Sequence, residues 1–344
     1  MPAAPFICDP AVLCRNPKPD KRRSSAMLPE RRMRGRPPVD RRWIMARRRL
    51  LVTGCGGFVG GAIVHQAGND WELHAVSRGK PLVRRDGLVW HTLDLTGGRR
   101  LDALLDETRP ETIVHAAAIA NIDYCEANPR EARRINVEVT QRLAEWCARR
   151  GARMVYISTD NVFDGEKGCY TEEDPPGPLN VYAKTKVEAE RIVASMPGNW
   201  VVARPSVVMG LPMLGAGNSF LSRMIPSLEA GETLYVPDNE IRSTIDIVTL
   251  ARALLELAET DFSGYIHLAG NDILNRHEMV RRIAIQLGYP PDRIVARNPD
   301  WIPDRAPRPL DASLCNRKAR SLLRTPMLGV GDGLALVLSQ RKAK

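Results

Sequence analysis

Cysteine, histidine clusters and long apolar runs are scarce in this sequence, and each shortage removes a class of function. Seven cysteines (Cys8, Cys14, Cys55, Cys125, Cys147, Cys169, Cys315) are scattered over 344 residues with no C-x-x-C pair and no histidine cluster beside them. That spacing builds neither a zinc site nor a disulfide frame, so no metal is expected and a reducing, cytoplasmic setting is. No apolar run approaches the roughly 18 residues that cross a bilayer, so no membrane association is expected. There is no internal repeat. Charge of one sign is also missing, outside one segment. The formal net charge is +10, but residues 1–49 hold fourteen Lys or Arg against four Asp or Glu, which is the whole excess. A basic folded body would point to nucleic acid; residues 50–344 are balanced, so nucleic acid is not an expected partner.

The basic segment, residues 1–46, carries eight prolines and several Arg pairs with no periodic apolar spacing, and is expected to be disordered. It lacks the apolar core of a signal peptide, and its prolines and acids make a poor transit peptide. Met45 is the expected start of the native product, with a nucleic-acid-binding arm as the alternative. What remains, 44% hydrophobic and 26% charged over the whole chain, is ordinary globular composition.

From Arg49 short β-branched runs alternate with amphipathic stretches. This predicts an α/β fold, a Rossmann-type doubly wound parallel sheet. Strands are expected at Leu50–Thr53, Glu72–Ser77, Val89–Leu93, Thr112–Ala116, Arg153–Ser158 and Trp200–Ala203. A helix is expected at Pro129–Arg150, with Asn128 as N-cap and Gly151 closing it, and another at Val181–Ser195. After Pro205 the rhythm loosens, with helices near Phe220–Ala230, Ile247–Glu259 (Asp246 capping) and Arg276–Leu287. The expected division is a dinucleotide-binding domain over 47–205 and a smaller substrate lobe over 206–344, some of whose segments return to the first.

Thr53-Gly54-Cys55-Gly56-Gly57-Phe58-Val59-Gly60 follows a strand and opens a helix, the context a dinucleotide fingerprint needs. Glycines let the backbone approach the pyrophosphate, and the helix amides meet its charge. Gly54, Gly57, Phe58 and Val59 are therefore candidate cofactor residues. At the end of the second strand an acid would bind the NAD ribose. This chain has Arg78 there, which suits a 2′-phosphate and selects NADPH, with NADH the alternative. Asp94 and Leu95 are candidates to flank the adenine, Asp94 having a turn cap as its other reading. Ala116, Ala117 and Ala118 are small enough for a flat cofactor, or for tight packing.

Tyr182 and Lys186 lie four residues apart on a predicted helix, so both side chains share one face. An ammonium there is expected to lower the phenol pKa and make Tyr182 a proton donor. Thr159, ending the fifth strand, is expected to hold a substrate carbonyl or hydroxyl.

These residues and their order resemble the extended short-chain dehydrogenase/reductases, and within them the dTDP-4-dehydrorhamnose reductase family. The matching blocks are Thr53–Gly60, Val114–Ala118, Ile157–Gly165 (ISTDNVFDG), Tyr170–Lys186 (YTEEDPPGPLNVYAKTK), Ala203-Arg204-Pro205 and Arg308-Pro309-Leu310-Asp311. The resemblance implies an NADPH-dependent reductase of the 4-keto group of a nucleotide-linked deoxysugar, with Thr159, Tyr182 and Lys186 catalytic and Pro205 beside the cofactor. It also implies an Asn136 that helps place the lysine through water, and homodimers as the common assembly. Asn161 stands near the sugar where the family has an aromatic residue. Arg242 and Arg308 are the preferred diphosphate ligands, ahead of Arg204 and Arg223. Two other functions stay open: an NAD-retaining epimerase or dehydratase using Asp160, and a binding role like that of the regulatory β subunit of methionine adenosyltransferase.

Overall fold

The structure, a computed structural model, describes residues 47–215, 219–298 and 305–342. The expectations for the basic tail lie outside the described residues. Strands and helices alternate as β1 (Arg48–Thr53), α1 (Phe58–Gln66), β2 (Trp71–Ser77), β3 (Leu88–Thr92), α2 (Gly98–Thr108), β4 (Thr112–His115), α3 (Ile122–Ala127), α4 (Pro129–Arg133), α5 (Val139–Arg150), β5 (Arg153–Ile157), α6 (Val181–Ala194) and β6 (Trp200–Pro205). All six expected strands are present, within two residues at each end. Downstream lie β7 (Val208–Met209), α7 (Phe220–Glu229), β8 (Leu234–Val236), β9 (Ile241–Arg242), β10 (Ile245–Asp246), α8 (Ile247–Leu257), β11 (Gly264–Leu268), β12 (Leu274–Asn275), α9 (Arg276–Gln286), β13 (Ile294–Ala296), α10 (Arg317–Leu322) and α11 (Val330–Lys342).

Seven strands form one sheet in the order β11-β6-β5-β4-β1-β2-β3, every neighbour parallel. This is the doubly wound sheet expected from the alternating pattern. Strand β1 shows the cause. Leu50, Leu51 and Val52 are all fully buried, because a parallel sheet between two helix layers has no wet face. Their directions alternate: Leu50 and Val52 pack with Ile63 of α1 and Leu250 of α8, while Leu51 packs with Leu105 of α2 and Leu143 of α5. β11, which has no counterpart among the expected strands, pairs with β6 and so brings residues 264–268 into the sheet.

The strand order reverses between β1 and β4, whose last residues Thr53 and His115 stand in register. A crevice at the carboxyl ends of these strands follows from that reversal. Along its side the expected Pro129–Arg150 helix is present but divided: Arg134–Glu138 form a π turn between α4 and α5. Gly151 closes α5 in the left-handed conformation, φ 67°. Asn128 is a correction. It stands at the N-cap, but its Nδ2 donates to Tyr124 O at 3.0 Å instead of its oxygen accepting from first-turn amides. Asp246 does cap α8, accepting from Val248 N and Thr249 N at 3.0 and 2.8 Å.

Candidate active site

The glycine turn is shaped by two close approaches. Gly54 has φ 73°, and a Cβ on it would lie 2.8 Å from the Ala117 backbone. A Cβ on Gly60 would collide with the Gly54 carbonyl, so a glycine there lets α1 start directly against the turn. Gly57 caps α1 with no side-chain hydrogen bond, leaving the helix amides for an anion.

Thr53 ties this turn to the end of β4. Its Oγ1 accepts from Ala116 N and Ala117 N, at 3.1 and 3.2 Å, and lies 2.7 Å from His115 Nδ1. With both lone pairs engaged, the hydroxyl donates its one proton to Nδ1. His115 is then protonated on Nε2 and donates to Thr140 Oγ1 at 3.1 Å, which donates to Asn136 O at 2.7 Å. Burial, and next the nearby Lys186 charge, push the His115 pKa down to about 3, in keeping with a neutral ring.

Above this floor lies a cleft of about 570 Å³. It is lined by the expected Gly54, Gly57, Arg78, Asp94 and Leu95, and by Ala116, Ala117 and Ala118. Lys80, Thr96, Ile119 and Val139 line it too, though no motif marked them. Arg78 and Lys80 are both exposed at its rim. Of its two expected roles Asp94 takes the turn cap, Oδ1 accepting from Thr96 N and Oγ1 at 2.9 and 2.8 Å, and the residue also lines the cleft. Phe58 and Val59 do not line it; they pack against the core beside α1. Pro205 is buried at the end of β6 opposite Leu268. Two cations at the rim, bare helix amides and a floor of alanines fit a phosphorylated dinucleotide.

The Tyr/Lys pair and Thr159 do not line this cleft but are buried beside it, Tyr182 packing with Ile119, which does line it. Asn180 caps α6 by accepting from Ala183 N at 2.8 Å, and its Nδ2 donates to Pro307 O at 2.9 Å. One turn on, Tyr182 and Lys186 are 7% and 2% exposed, beside Thr159 at 7%. Lys186 Nζ donates to Ile157 O at 2.6 Å. It is the one acceptor for Nζ among the described residues, so two ammonium hydrogens are left for a ligand such as a diol. The expected acidity of Tyr182 needs correction. Burial raises its pKa above the ordinary phenol value, opposed by a hydrogen bond with Thr159. The shift falls instead on the partner: burial pulls Lys186 down to about 7, against the pull of Glu190 upward. Thr159 Oγ1 donates to Asp160 Oδ1 at 3.2 Å and accepts from Asn161 N and Nδ2, at 3.2 and 3.3 Å.

Other candidates have different occupations. Asn136, in the π turn, clamps Ile119: Oδ1 accepts from its N at 2.8 Å, while Nδ2 donates to its O and to Thr185 Oγ1, at 3.1 and 3.0 Å. Arg242 is 3% exposed and donates to the carbonyls of Ile241, Pro309 and Leu310, with Asp160 at 3.7 Å. Its guanidinium holds backbone together and does not stand open to a diphosphate. Arg204 is likewise taken, by the buried Glu190. Arg308 forms a two-pronged pair with Asp123 at 2.8 and 2.7 Å, nearer the surface.

Residues 48–342 match the model of the RmlD substrate binding domain family. Among curated proteins, the dTDP-4-dehydrorhamnose reductase of Mycobacterium tuberculosis is 28% identical over 298 residues, 85% of this chain and 92% of that one. Methionine adenosyltransferase 2 subunit beta of Bos taurus is 31% identical over 250 residues, 71% of this chain and 73% of that one. The fold matches the crystal structure of Bacillus anthracis dTDP-4-dehydrorhamnose reductase in complex with NADP, with a TM-score of 0.75 at 23% identity over 86% of this chain and 99% of that one. The glycine turn, the cleft at the sheet reversal and the buried Tyr/Lys helix are thus found in a chain that belongs to the RmlD substrate binding domain family, a group of Rossmann-fold NAD(P)-dependent oxidoreductases.

Proposed function

We propose that this chain is an NADPH-dependent reductase of a nucleotide-linked 4-keto-6-deoxysugar, as the resemblance to dTDP-4-dehydrorhamnose reductases suggests. The observation that carries this reading is the burial of Thr159, Tyr182 and Lys186 together at the carboxyl edge of the sheet, with Tyr182 packed on Ile119 of the cleft lining. Arg78 and Lys80 at its rim favour a 2′-phosphate over a bare ribose. The cofactor bound there would supply a hydride to the substrate carbonyl. The raised pKa of Tyr182 keeps its phenol protonated at neutral pH, the form a proton donor to the developing alkoxide must start from. Lys186, with two hydrogens unused, is the group to hold the nicotinamide ribose and ease that donation. Thr159 orients the substrate oxygen, and Asn161 lies beside it as a candidate sugar contact.

Asp160 is poorly placed as a dehydratase base: burial raises its pKa, but its oxygens are already occupied. It is buried under donors from Thr159, Asn161 and Ser206 with Arg242 behind it. A non-catalytic, NADP-binding regulatory role remains the second reading, supported by the 31% identity with the bovine subunit. One assay separates the two: NADPH titration by fluorescence, then addition of dTDP-4-keto-6-deoxysugar. Oxidation of NADPH is expected, and Tyr182→Phe should reduce turnover at least a hundredfold with NADPH affinity kept. Tight NADPH binding without oxidation would favour the regulatory reading, and undiminished turnover in Tyr182→Phe would remove the phenol from its role.

A further inference from the structure

Lys186 is a cation in a place that does not welcome one. It is fully buried, and the carboxylate that could pair with it is committed elsewhere. Glu190, one turn further along α6, accepts from Arg204 at 2.9 and 2.7 Å and from Ser158 Oγ at 2.5 Å. The other titratable groups around Lys186 are Tyr182 on α6, the Cys125 thiol on α3, the neutral His115 ending β4, and Tyr156 on β5. None of these is an anion at neutral pH. What does touch the ammonium is the Ile157 carbonyl at 2.6 Å and the face of the Tyr156 ring, with Nζ 4.2 Å from its centroid.

We propose that Tyr156 is a positioning residue of this active site, its ring serving in place of a counter-ion to keep the Lys186 ammonium charged and fixed. Three observations support this. The ring is 1% exposed, so its attraction for a cation acts without water to screen it. Its hydroxyl lies near Thr140 but makes no well-aligned hydrogen bond, so the ring rather than the hydroxyl is what the site uses. The ring also lies tilted against the His115 imidazole, with 5.9 Å between centroids. His115 is fixed in turn through Thr53 to the cofactor floor. Burial outweighs the upward pull of Glu190 and leaves Lys186 at about 7, so a modest further attraction decides its charge at physiological pH. A desolvated cation–π contact is of that size, about one to two pH units.

The inference rests on the reading of Lys186 as a cofactor ligand for its use, but not for its test. The test is the pH titration of Lys186 Nζ by nitrogen-15 NMR, its signal assigned by loss in Lys186→Met. Tyr156→Phe keeps the ring and should leave the midpoint within about 0.3 unit. Tyr156→Leu removes it and should lower the midpoint by about one unit or more, with Tyr156→Met as the replacement if the leucine variant does not fold. The same ring-less variant should weaken NADPH binding several-fold more at pH 8.5 than at pH 6.5. A midpoint unchanged by loss of the ring, or lowered as much by Phe as by Leu, overturns the proposal. Unaltered NADPH affinity in Lys186→Met would instead sink the cofactor role of the lysine, and the Nζ midpoints would still decide the case of Tyr156.

Discussion

Two buried histidines give the protein a measurable response to acid. His115 is wedged between Thr53 and Thr140, and His267 has Nδ1 3.0 Å from Tyr170 O. Burial first, and nearby cations next, push both pKa values to about 3. An unfolded histidine titrates near 6.5. Between 6.5 and 3 the unfolded chain therefore binds the extra protons, and stability must fall as pH falls through that window, while above 6.5 the contribution is complete. At pH 5 each ring should cost about 2 kcal/mol. Urea midpoints at pH 7.5 and 5.0 should show a smaller drop for His267→Gln than for the parent chain; equal drops would mean that other groups govern the acid limb. Of the residues involved, those with local chemistry were legible in sequence. Gly54 follows from a turn, Arg78 from a strand end, and Tyr182 with Lys186 from helical spacing. Thr53 and His115 were not, because what they do depends on a contact across 62 residues that no local pattern records.

At the scale of elements, α6 is the piece that makes the site. Tyr182, Lys186 and Glu190 recur every four residues on its buried face. The first two were visible as a motif, whereas Glu190 reads as a surface charge until Arg204 of β6 is brought against it. For the same reason Arg204 stands among the lesser candidates for a diphosphate ligand in sequence, which shows a cation but not its partner. Both side chains of this ion pair are 2% exposed, and Arg204 also lies over the Phe163 and Tyr265 rings, at 5.1 and 4.6 Å. Breaking a buried pair from one side strands the other charge. Glu190→Gln should thus lose on the order of 3 kcal/mol by denaturant unfolding, and adding Arg204→Met should restore much of it. If the double variant is less stable than the single one, the pair is a net source of stability and not a fastening for the helix. The π turn at Arg134–Glu138 has the same lesson in reverse. Its residues look helical and are helical, and only the packing of Asn136 onto Ile119 and Thr185 reveals the extra residue in the turn.

For the whole molecule, the test is where the chain can be cut. The change of rhythm after Pro205 suggests a boundary, because the regular strand–helix alternation stops there. The packing crosses that line. β11 lies beyond it and covers the free edge of β6, while α8 lies against α1. The core on that face of the sheet combines Leu50, Val52 and Ile63 with Leu250, Leu254, Ile266 and Val337. A fragment of residues 47–205 would expose the edge of β6 and the outer face of α1 together, an invitation to pair with other copies. It should therefore fail to give a cooperative thermal transition by circular dichroism and should elute as aggregate, whereas 47–344 should melt cooperatively as a discrete species. β11 explains why sequence misses this. Gly264-Tyr265-Ile266-His267-Leu268 is short, carries a histidine, and sits among loops, so nothing local distinguishes it from them. Only its register against Val201–Pro205 makes it a strand. A soluble, cooperatively melting 47–205 fragment would show that the nucleotide-binding half closes its own core, and that the later segments are a substrate lobe added onto it.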